Sequence, residues 1–173
     1  MLFRSSDRLL KVLSQAELKM IVLHEASHVR RHHALIRGLP MLFAFVGMIL
    51  IAWFADQAPT TRDQSVLAIA LVATVACLLL MIVSLGVIAR WTEYDADREA
   101  IELSGRLAVG CQPYATQDRL QAARDLVSSL RTICPAGDEY RRNWLHPSIA
   151  SRIARIEQRS FATKLPVAVV ASR

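Results

Sequence analysis

Two histidines and a glutamate, spaced as H-E-x-x-H, are the residues of this chain whose types and spacing suit catalytic chemistry. They are His24, Glu25 and His28. Residues four apart lie on one face of a helix, so both imidazoles can reach a single metal ion. Glu25 projects from the adjacent position, where a carboxylate can take a proton from a water molecule. The pattern therefore predicts a metal site with a hydrolytic base beside it.

A third protein ligand must lie elsewhere, because a catalytic zinc site takes three and keeps one position open. The best candidate is Glu93, which stands one helical turn before Asp97. Such a pair suits a metal ligand followed by a carboxylate that orients a ligating histidine. Without the histidines, the two carboxylates would be interpreted as a solvated acidic face beside Arg90 and Arg98. A set of two histidines and one glutamate favours Zn²⁺ over other divalent ions.

Two long apolar runs separate these motifs. Residues 39–55 and residues 65–89 contain no charged side chain, in a chain that is 53% hydrophobic. A membrane-spanning helix needs about 20 apolar residues, with a range of about 17–25. Buried core helices are the alternative, but runs of this length exceed ordinary core helices. The sequence therefore predicts a transmembrane helical hairpin over residues 39–89, surrounded by a lipid bilayer.

The hairpin explains how the two motifs can meet, since its two ends emerge on the same side of the membrane. The first metal-binding helix is predicted over residues 14–37. It starts at a capping box formed by Ser14 and Glu17, and it ends at the Gly-Leu-Pro of residues 38–40. The helix with the third ligand and the C-terminal helices are predicted over residues 90–160. His32 and His33, which follow the first motif, are expected to be solvated at the membrane surface.

The net charge of +6 is concentrated at the ends of the apolar runs. Arg30, Arg31 and Arg37 precede the first run, and Arg90 and Arg98 follow the second. By the positive-inside rule, an integral membrane protein of this kind has both termini and the active site in the cytoplasm, with the plasma (inner) membrane as the expected location. No aromatic and basic platform is visible, so a nucleic-acid partner is not expected.

The order of three motifs resembles that of the HtpX-like membrane zinc metallopeptidases, relatives of the prenyl-protein (CAAX) endopeptidases. The matching motifs are H-E-x-x-H at residues 24–28, R-x-x-E-Y-x-A-D at residues 90–97 and H-P-x-I-x-x-R-I at residues 146–153. The resemblance implies that His24, His28 and Glu93 bind Zn²⁺ and that Glu25 is the general base. It also implies that Asp97 supports the site from behind the ligands.

The third motif contributes His146 and Arg152. The resemblance implies that one of them stabilises the oxyanion of the tetrahedral intermediate, and it leaves open that Arg152 instead braces the metal-binding helix. From the residues alone, His146 before Pro147 is equally well explained as a loop-to-helix junction.

The expected fold is mainly α: a single, membrane-embedded, zincin-like helical catalytic domain over residues 1–173, interrupted by the two-helix hairpin, with little or no β structure. The expected function is a zinc-dependent endopeptidase that hydrolyses protein or peptide substrates from the membrane or cytoplasm. Relatives carry further apolar helices and a short β segment before the H-E-x-x-H. One alternative is therefore a truncated or catalytically idle zinc-binding membrane module that needs a partner. Another is a sensor-type peptidase with one dedicated substrate. The sequence indicates neither the substrate nor the oligomeric state.

Overall fold

Five α-helices make up the described part of the chain, which in this computed structural model comprises residues 11–57, 64–109, 116–135, 137–141 and 143–161. No strand occurs within these ranges, so the prediction of a mainly α fold is confirmed. The helices, numbered in chain order, are α1 (Gln15–Arg30), α2 (His33–Asp56), α3 (Gln64–Val109), α4 (Thr116–Ile133) and α5 (Ile149–Phe161).

Helix α1 begins at the predicted capping box. The Ser14 side chain accepts a hydrogen bond from the backbone N–H of Glu17, and the Glu17 carboxylate accepts one from the backbone N–H of Ser14 at 2.8 Å. Two of the amide groups left without partners at a helix start are satisfied in this way. The cap therefore fixes where the helix carrying His24 and His28 begins.

The break between α1 and α2 lies earlier than the sequence predicted. Helix α1 ends at Arg30, and α2 starts at His33 after a single left-handed residue, His32, with a φ of 53°. The prediction of one helix over residues 14–37 that stops at Gly38 and Pro40 was wrong, and the hairpin begins at His33 rather than at residue 39. Pro40 lies inside α2, where it removes one backbone hydrogen bond; apolar membrane helices tolerate this loss.

The chain divides into two compact units. One contains His32–Trp91; the other contains the described residues up to Arg31 and from Thr92 onward. Helix α3 contributes to both. The single metallopeptidase domain expected from the sequence stays a prediction.

The unit His32–Trp91 holds the two apolar helices predicted from the sequence. Both are long and apolar enough to cross a membrane. In the most apolar stretch of each helix, 11% of α2 and 0% of α3 is buried inside the protein. A core helix of a soluble protein would bury most of that surface, so the two helices indicate a membrane protein. Within this unit, a Cβ on Gly47 would lie 3.1 Å from the Cys77 Sγ, so glycine allows the close approach of α2 and α3.

His33 departs from its expected exposure at a membrane surface. Only 1% of the residue is exposed, and its ring lies 6.2 Å from that of Trp91 in an edge-on arrangement. The ring is thus packed against protein rather than solvated, whereas His32 is exposed as predicted.

The other unit has an apolar core contributed by four helices. Its buried members are Met20 on α1, Ala100 and Ile101 on α3, Ala122, Ala123, Leu126, Val127 and Leu130 on α4, and Ile156 on α5. The i, i+3, i+4, i+7 spacing on α4 places its apolar side chains on one face. This core packs α1 and α3 together, which positions the motifs that they carry.

Ion pairs reinforce the packing of α1 on α3. The Arg31 guanidinium donates two hydrogen bonds to the Asp95 carboxylate, at 2.8 and 2.9 Å, and Arg30 lies 3.4 Å from Glu99. Both carboxylates are buried. Since a buried charge is strongly unfavourable without a partner, these pairs hold the end of α1 against one face of α3.

Glu17 also links α1 to α4, and we expect Glu17→Gln to destabilise the fold by about 1 kcal/mol at pH 7. Its carboxylate accepts a hydrogen bond from the Ser128 hydroxyl at 2.6 Å. That bond and those from Ser14 lower the pKa of Glu17 to about 2. Because this value lies below the ordinary 4.5, the stabilisation is fully present above pH 4.5 and is lost as the pH falls towards 2.

Thermal unfolding in detergent, followed by circular dichroism between pH 2 and pH 7, measures this contribution. The difference in Tm between wild type and Glu17→Gln should shrink as the pH falls. Glu139→Gln, which changes an exposed glutamate outside the helices, is the control and should leave Tm unchanged. A difference that stayed constant across this range would contradict the assignment.

Candidate metal centre

Three side chains predicted as ligands converge within the unit formed by residues up to Arg31 and from Thr92 onward. The Nε2 atoms of His24 and His28 lie 3.2 Å apart, and each lies 3.7 Å from an oxygen of the Glu93 carboxylate. Zinc binds nitrogen and oxygen at about 2.0–2.2 Å, so tetrahedral ligands stand about 3.3–3.5 Å from one another. The three donor groups therefore fit one zinc-sized ion.

Asp97 lies directly behind this cluster. Its carboxylate accepts a hydrogen bond from the Nδ1–H of His24 at 3.0 Å, which leaves the Nε2 of that ring to face the cluster. A histidine that binds a metal usually donates its other ring N–H to a carboxylate or carbonyl group, because this fixes both the tautomer and the ring orientation. Asp97 thus stands where the sequence predicted a carboxylate that orients a histidine.

Arg152 on α5 completes this arrangement. Its Nε and Nη2 groups donate to the two oxygens of Asp97, the Nε contact at 2.9 Å, and its Nη1 lies 3.5 Å from Glu93. The Asp97 side chain is 2% exposed and that of Arg152 is 13% exposed. A planar guanidinium matches a carboxylate at two points, so this contact fixes the Asp97 carboxylate in direction as well as in charge.

The centre attracts positive charge. Burial opposes protonation of His24, but hydrogen bonds to Asp97 and Glu93 outweigh it and raise the pKa of His24 to about 9. Two buried carboxylates facing a pair of imidazoles therefore favour a cation between them. The same electrostatic field that holds a proton on the ring would stabilise a divalent metal ion once that proton has left.

The two residues predicted to take part in the reaction lie at the exposed side of the cluster. Glu25 is exposed beside His24 on α1. Burial lowers the pKa of Arg152, but the carboxylates of Asp97 and Glu93, with a smaller contribution from the charge of Glu25, raise it overall. His146 has a side chain that is 54% exposed, and its Nδ1 lies 3.2 Å from Glu93 Oε1. The structure thus brings all seven predicted site residues into one unit.

Sequence reasoning left one contact of the site undetermined. Arg152 had two alternative roles, and only the structure shows its guanidinium on Asp97. The sequence places Arg152 in the first turn of α5, close to Ser148, which accepts a hydrogen bond from the backbone N–H of Ser151. Spacing along one helix does not reveal a partner 55 residues away, so the sequence carried no signal that could decide between the two roles.

A comparison with protein families decides where the chain belongs. The sequence profile described as peptidase family M48 matches residues 5–160. The chain belongs to peptidase family M48. The three ordered motifs that resembled HtpX-like peptidases lie within the matched residues, and the resemblance is confirmed.

Two curated relatives of this M48 chain are each named Protease HtpX homolog. The one from Pyrococcus abyssi (strain GE5 / Orsay) is 30% identical over 107 residues, and the one from Pyrococcus furiosus (strain ATCC 43587 / DSM 3638 / JCM 8422 / Vc1) is 26% identical over 107 residues. Each alignment covers 58% of this chain and 37% of the relative, so the chain spans little more than a third of their length. No solved structure matches the chain.

We expect Asp97→Asn to lower the affinity of the centre for Zn²⁺ by about 10–100-fold, because His24 loses the carboxylate that orients its ring. Competition with a chromophoric chelator measures this affinity on detergent-purified protein. Asp125→Asn is the matched control: it makes the same change on α4, where the carboxylate accepts a hydrogen bond from Gln121. Folded Asp97→Asn protein with wild-type zinc affinity would refute the role given to Asp97.

Proposed function

We propose that the chain is a membrane-bound, zinc-dependent endopeptidase that hydrolyses peptide bonds of membrane or cytoplasmic proteins. Membership of peptidase family M48 supports a peptidase. The observation that carries the proposal is the cluster of His24, His28 and Glu93, whose ligand atoms all lie within 4.8 Å of one another. Two imidazoles and one carboxylate are a donor set typical of a catalytic zinc site.

Glu25 is the general base of the proposed reaction. When bound, Zn²⁺ supplies a Lewis acid that polarises the peptide carbonyl and acidifies a water molecule. Glu25 takes the proton of the attacking water and then delivers it to the nitrogen of the leaving amine. Its exposed position beside His24 leaves its carboxylate accessible to both water and substrate.

Asp97 and Arg152 act as positioning residues. Asp97 holds the Nδ1–H of His24, and Arg152 holds both oxygens of Asp97. Since the Arg152 guanidinium is engaged by Asp97 and Glu93, we assign it to bracing the site rather than to binding the oxyanion. His146 is exposed beside Glu93, so we assign to it the stabilisation of the developing oxyanion.

The proposed location is the plasma (inner) membrane, with both termini and the metal centre on the cytoplasmic side. Two apolar helices support a membrane protein. The orientation rests on the arginines that flank the apolar runs, since positive charge is retained in the cytoplasm.

Loss of the general base tests the proposed mechanism. We expect Glu25→Gln to lower the rate of proteolysis of an unfolded test protein by about 10²–10⁴-fold, because neither proton transfer has a catalyst. Zinc content should remain at the wild-type level, since the Glu25 carboxylate is not one of the proposed metal ligands. The measurement uses detergent-purified protein, with metal determined by mass spectrometry and proteolysis followed with and without a chelator.

Glu139→Gln is the control for that experiment, because it removes an exposed glutamate outside the centre. Equal, chelator-sensitive proteolysis by wild type and Glu25→Gln would refute the mechanism. Full zinc occupancy without cleavage by either protein would favour the idle or partner-dependent module. Absence of zinc from both would refute the metal centre.

The orientation is tested by reporter fusions. Alkaline phosphatase inserted after Gln57, at the end of α2, should be active, because it folds only outside the cytoplasm. The same enzyme fused after Arg173 should be inactive, while a fluorescent protein fused there should fluoresce. The reverse pattern would show that the metal centre faces away from the cytoplasm.

A further inference from the structure

The exposed side of α1 is apolar where it surrounds Glu25. Within residues 20–29, Glu25 is the one charged residue that is exposed, and the other exposed residues are Val22, Ala26 and Val29. Val22 and Val29 are 58% and 77% exposed. They stand at positions i and i+7 of the helix, with Glu25 and Ala26 at i+3 and i+4, so all four share one side. The three apolar residues form the apolar face of α1.

This part of α1 reverses the usual order of a surface helix, which turns charged residues outward and apolar residues inward. Its buried residues within 20–29, apart from Met20, are polar: His24 and Ser27. The burial of His24 follows from the cluster that it joins, and the Ser27 hydroxyl donates to the Leu23 carbonyl at 2.7 Å. Single exposed valines are ordinary on protein surfaces, but an apolar group that surrounds one carboxylate indicates a binding surface.

The loop before α5 brings further exposed apolar side chains to the same centre. Trp144 and Leu145 are 45% and 37% exposed and immediately precede His146. The Nδ1 of His146 lies 3.2 Å from Glu93 Oε1, and the Nε2 of His28 on α1 lies 3.7 Å from that same oxygen. Because both rings contact one carboxylate oxygen, apolar groups approach the centre from α1 and from the loop.

A cavity of about 450 Å³ opens beside His146. Its described lining includes three apolar residues: Pro135, Pro147 and Ile149. Asp138 and Arg141 also line it, but they lie 3.6 Å apart as an ion pair, so their charges offset each other. The backbone N–H of Ala150 donates to the Glu139 carbonyl at 3.0 Å, which holds this wall against the first turn of α5. The volume lies within the range of ligand pockets, about 300–1,000 Å³, and accommodates a large apolar side chain.

We propose that these surfaces bind a polypeptide segment that carries large apolar side chains on both sides of the bond to be cleaved. This inference rests on the proposed peptidase function, because it names the substrate class of that centre. One apolar side chain of the substrate lies on the apolar face of α1, and another enters the cavity beside His146. The peptide bond between them then faces Glu25. Burial of apolar area supplies affinity for many sequences that share this character.

A lipid surface is the other candidate cover for an apolar helix face, and the position of Glu25 disfavours it. Glu25 lies in the middle of the face, so whatever covers Val22 and Val29 also meets its carboxylate. Hydrocarbon offers a carboxylate no hydrogen-bond donor, and an unpaired charge in such surroundings is strongly unfavourable. A polypeptide has backbone N–H groups, so it can cover the valines and pair with the carboxylate together.

Fluorescence anisotropy on detergent-purified protein tests the proposal, with Glu25→Gln as the background so that the peptide stays intact. The probes are two fluorescein-labelled octapeptides: Gly-Ser-Gly-Leu-Phe-Gly-Ser-Gly and the same peptide with Ser-Ser in place of Leu-Phe. The Leu-Phe peptide should bind at least about tenfold more tightly than the Ser-Ser peptide. Adding Val22→Ser/Val29→Ser should remove most of that difference, because the apolar face of α1 is lost.

Val12→Ser is the matched control, since it makes the same change at an exposed valine before α1. Leu145→Ser tests the loop and should also weaken binding of the Leu-Phe peptide. Its control is Leu107→Ser, at an exposed leucine near the end of α3. Both controls should keep the peptide preference of the Glu25→Gln background. Far-UV circular dichroism checks folding, protein-free micelles provide the blank, and the two single valine variants replace the double variant if it unfolds.

Proteolysis by the chain with Glu25 intact separates this proposal from the proposed function. The ratio of kcat/KM for the two peptides should fall about tenfold in Val22→Ser/Val29→Ser, whereas mere destabilisation would lower both rates equally. Cleavage of neither peptide would count against the peptidase, and the binding measurement would still decide on the surface. Equal binding of the two peptides, or an undiminished preference in the valine variants, would overturn the proposal. A lipid-covered face would give the second of these results.

Discussion

The candidate metal centre depends on a single buried carboxylate, that of Asp97. An ionised carboxylate that is 2% exposed is strongly unfavourable unless its oxygens are paired. Here His24 on α1 and Arg152 on α5 supply the partners, so one side chain of α3 ties three helices together. Removing any one of the three groups would leave a charge or a ring N–H without its partner. The orientation of His24 is thus coupled to the packing of the whole unit.

Helix α3 carries its buried charges on two faces with different tasks. Glu93 and Asp97 face the histidines and Arg152, whereas Asp95 and Glu99 face Arg31 and Arg30 at the end of α1. Both pairs are spaced by one helical turn, and they are offset by two residues. One pair of carboxylates therefore faces the candidate metal ligands of α1, and the other pair holds the end of α1 in register beside α3. Among the described residues, no buried side-chain nitrogen or oxygen lacks a hydrogen-bond partner.

Features set by local spacing could be predicted from the sequence, and features set by tertiary contacts could not. The capping box at Ser14, the convergence of His24 with His28, and the start of the last helix follow from one or two helical turns of sequence. The break at His32 carries no such signal, since neither Gly nor Asn occupies the left-handed position. Gly38 and Pro40 were a misleading signal, because an apolar helix accommodates both. The choice between two roles for Arg152 required a partner 55 residues away.

The geometry around Asp97 also explains why arginine, rather than lysine, suits position 152. Both oxygens of the carboxylate need donors, and one of them already accepts from His24. A guanidinium spans both oxygens with two N–H groups and extends a third towards Glu93. An ammonium group is a point charge that would reach one oxygen and leave the plane of the carboxylate free to rotate. Since that plane sets the direction of the His24 ring, the fork of Arg152 couples the packing of α5 to the orientation of the proposed metal ligands.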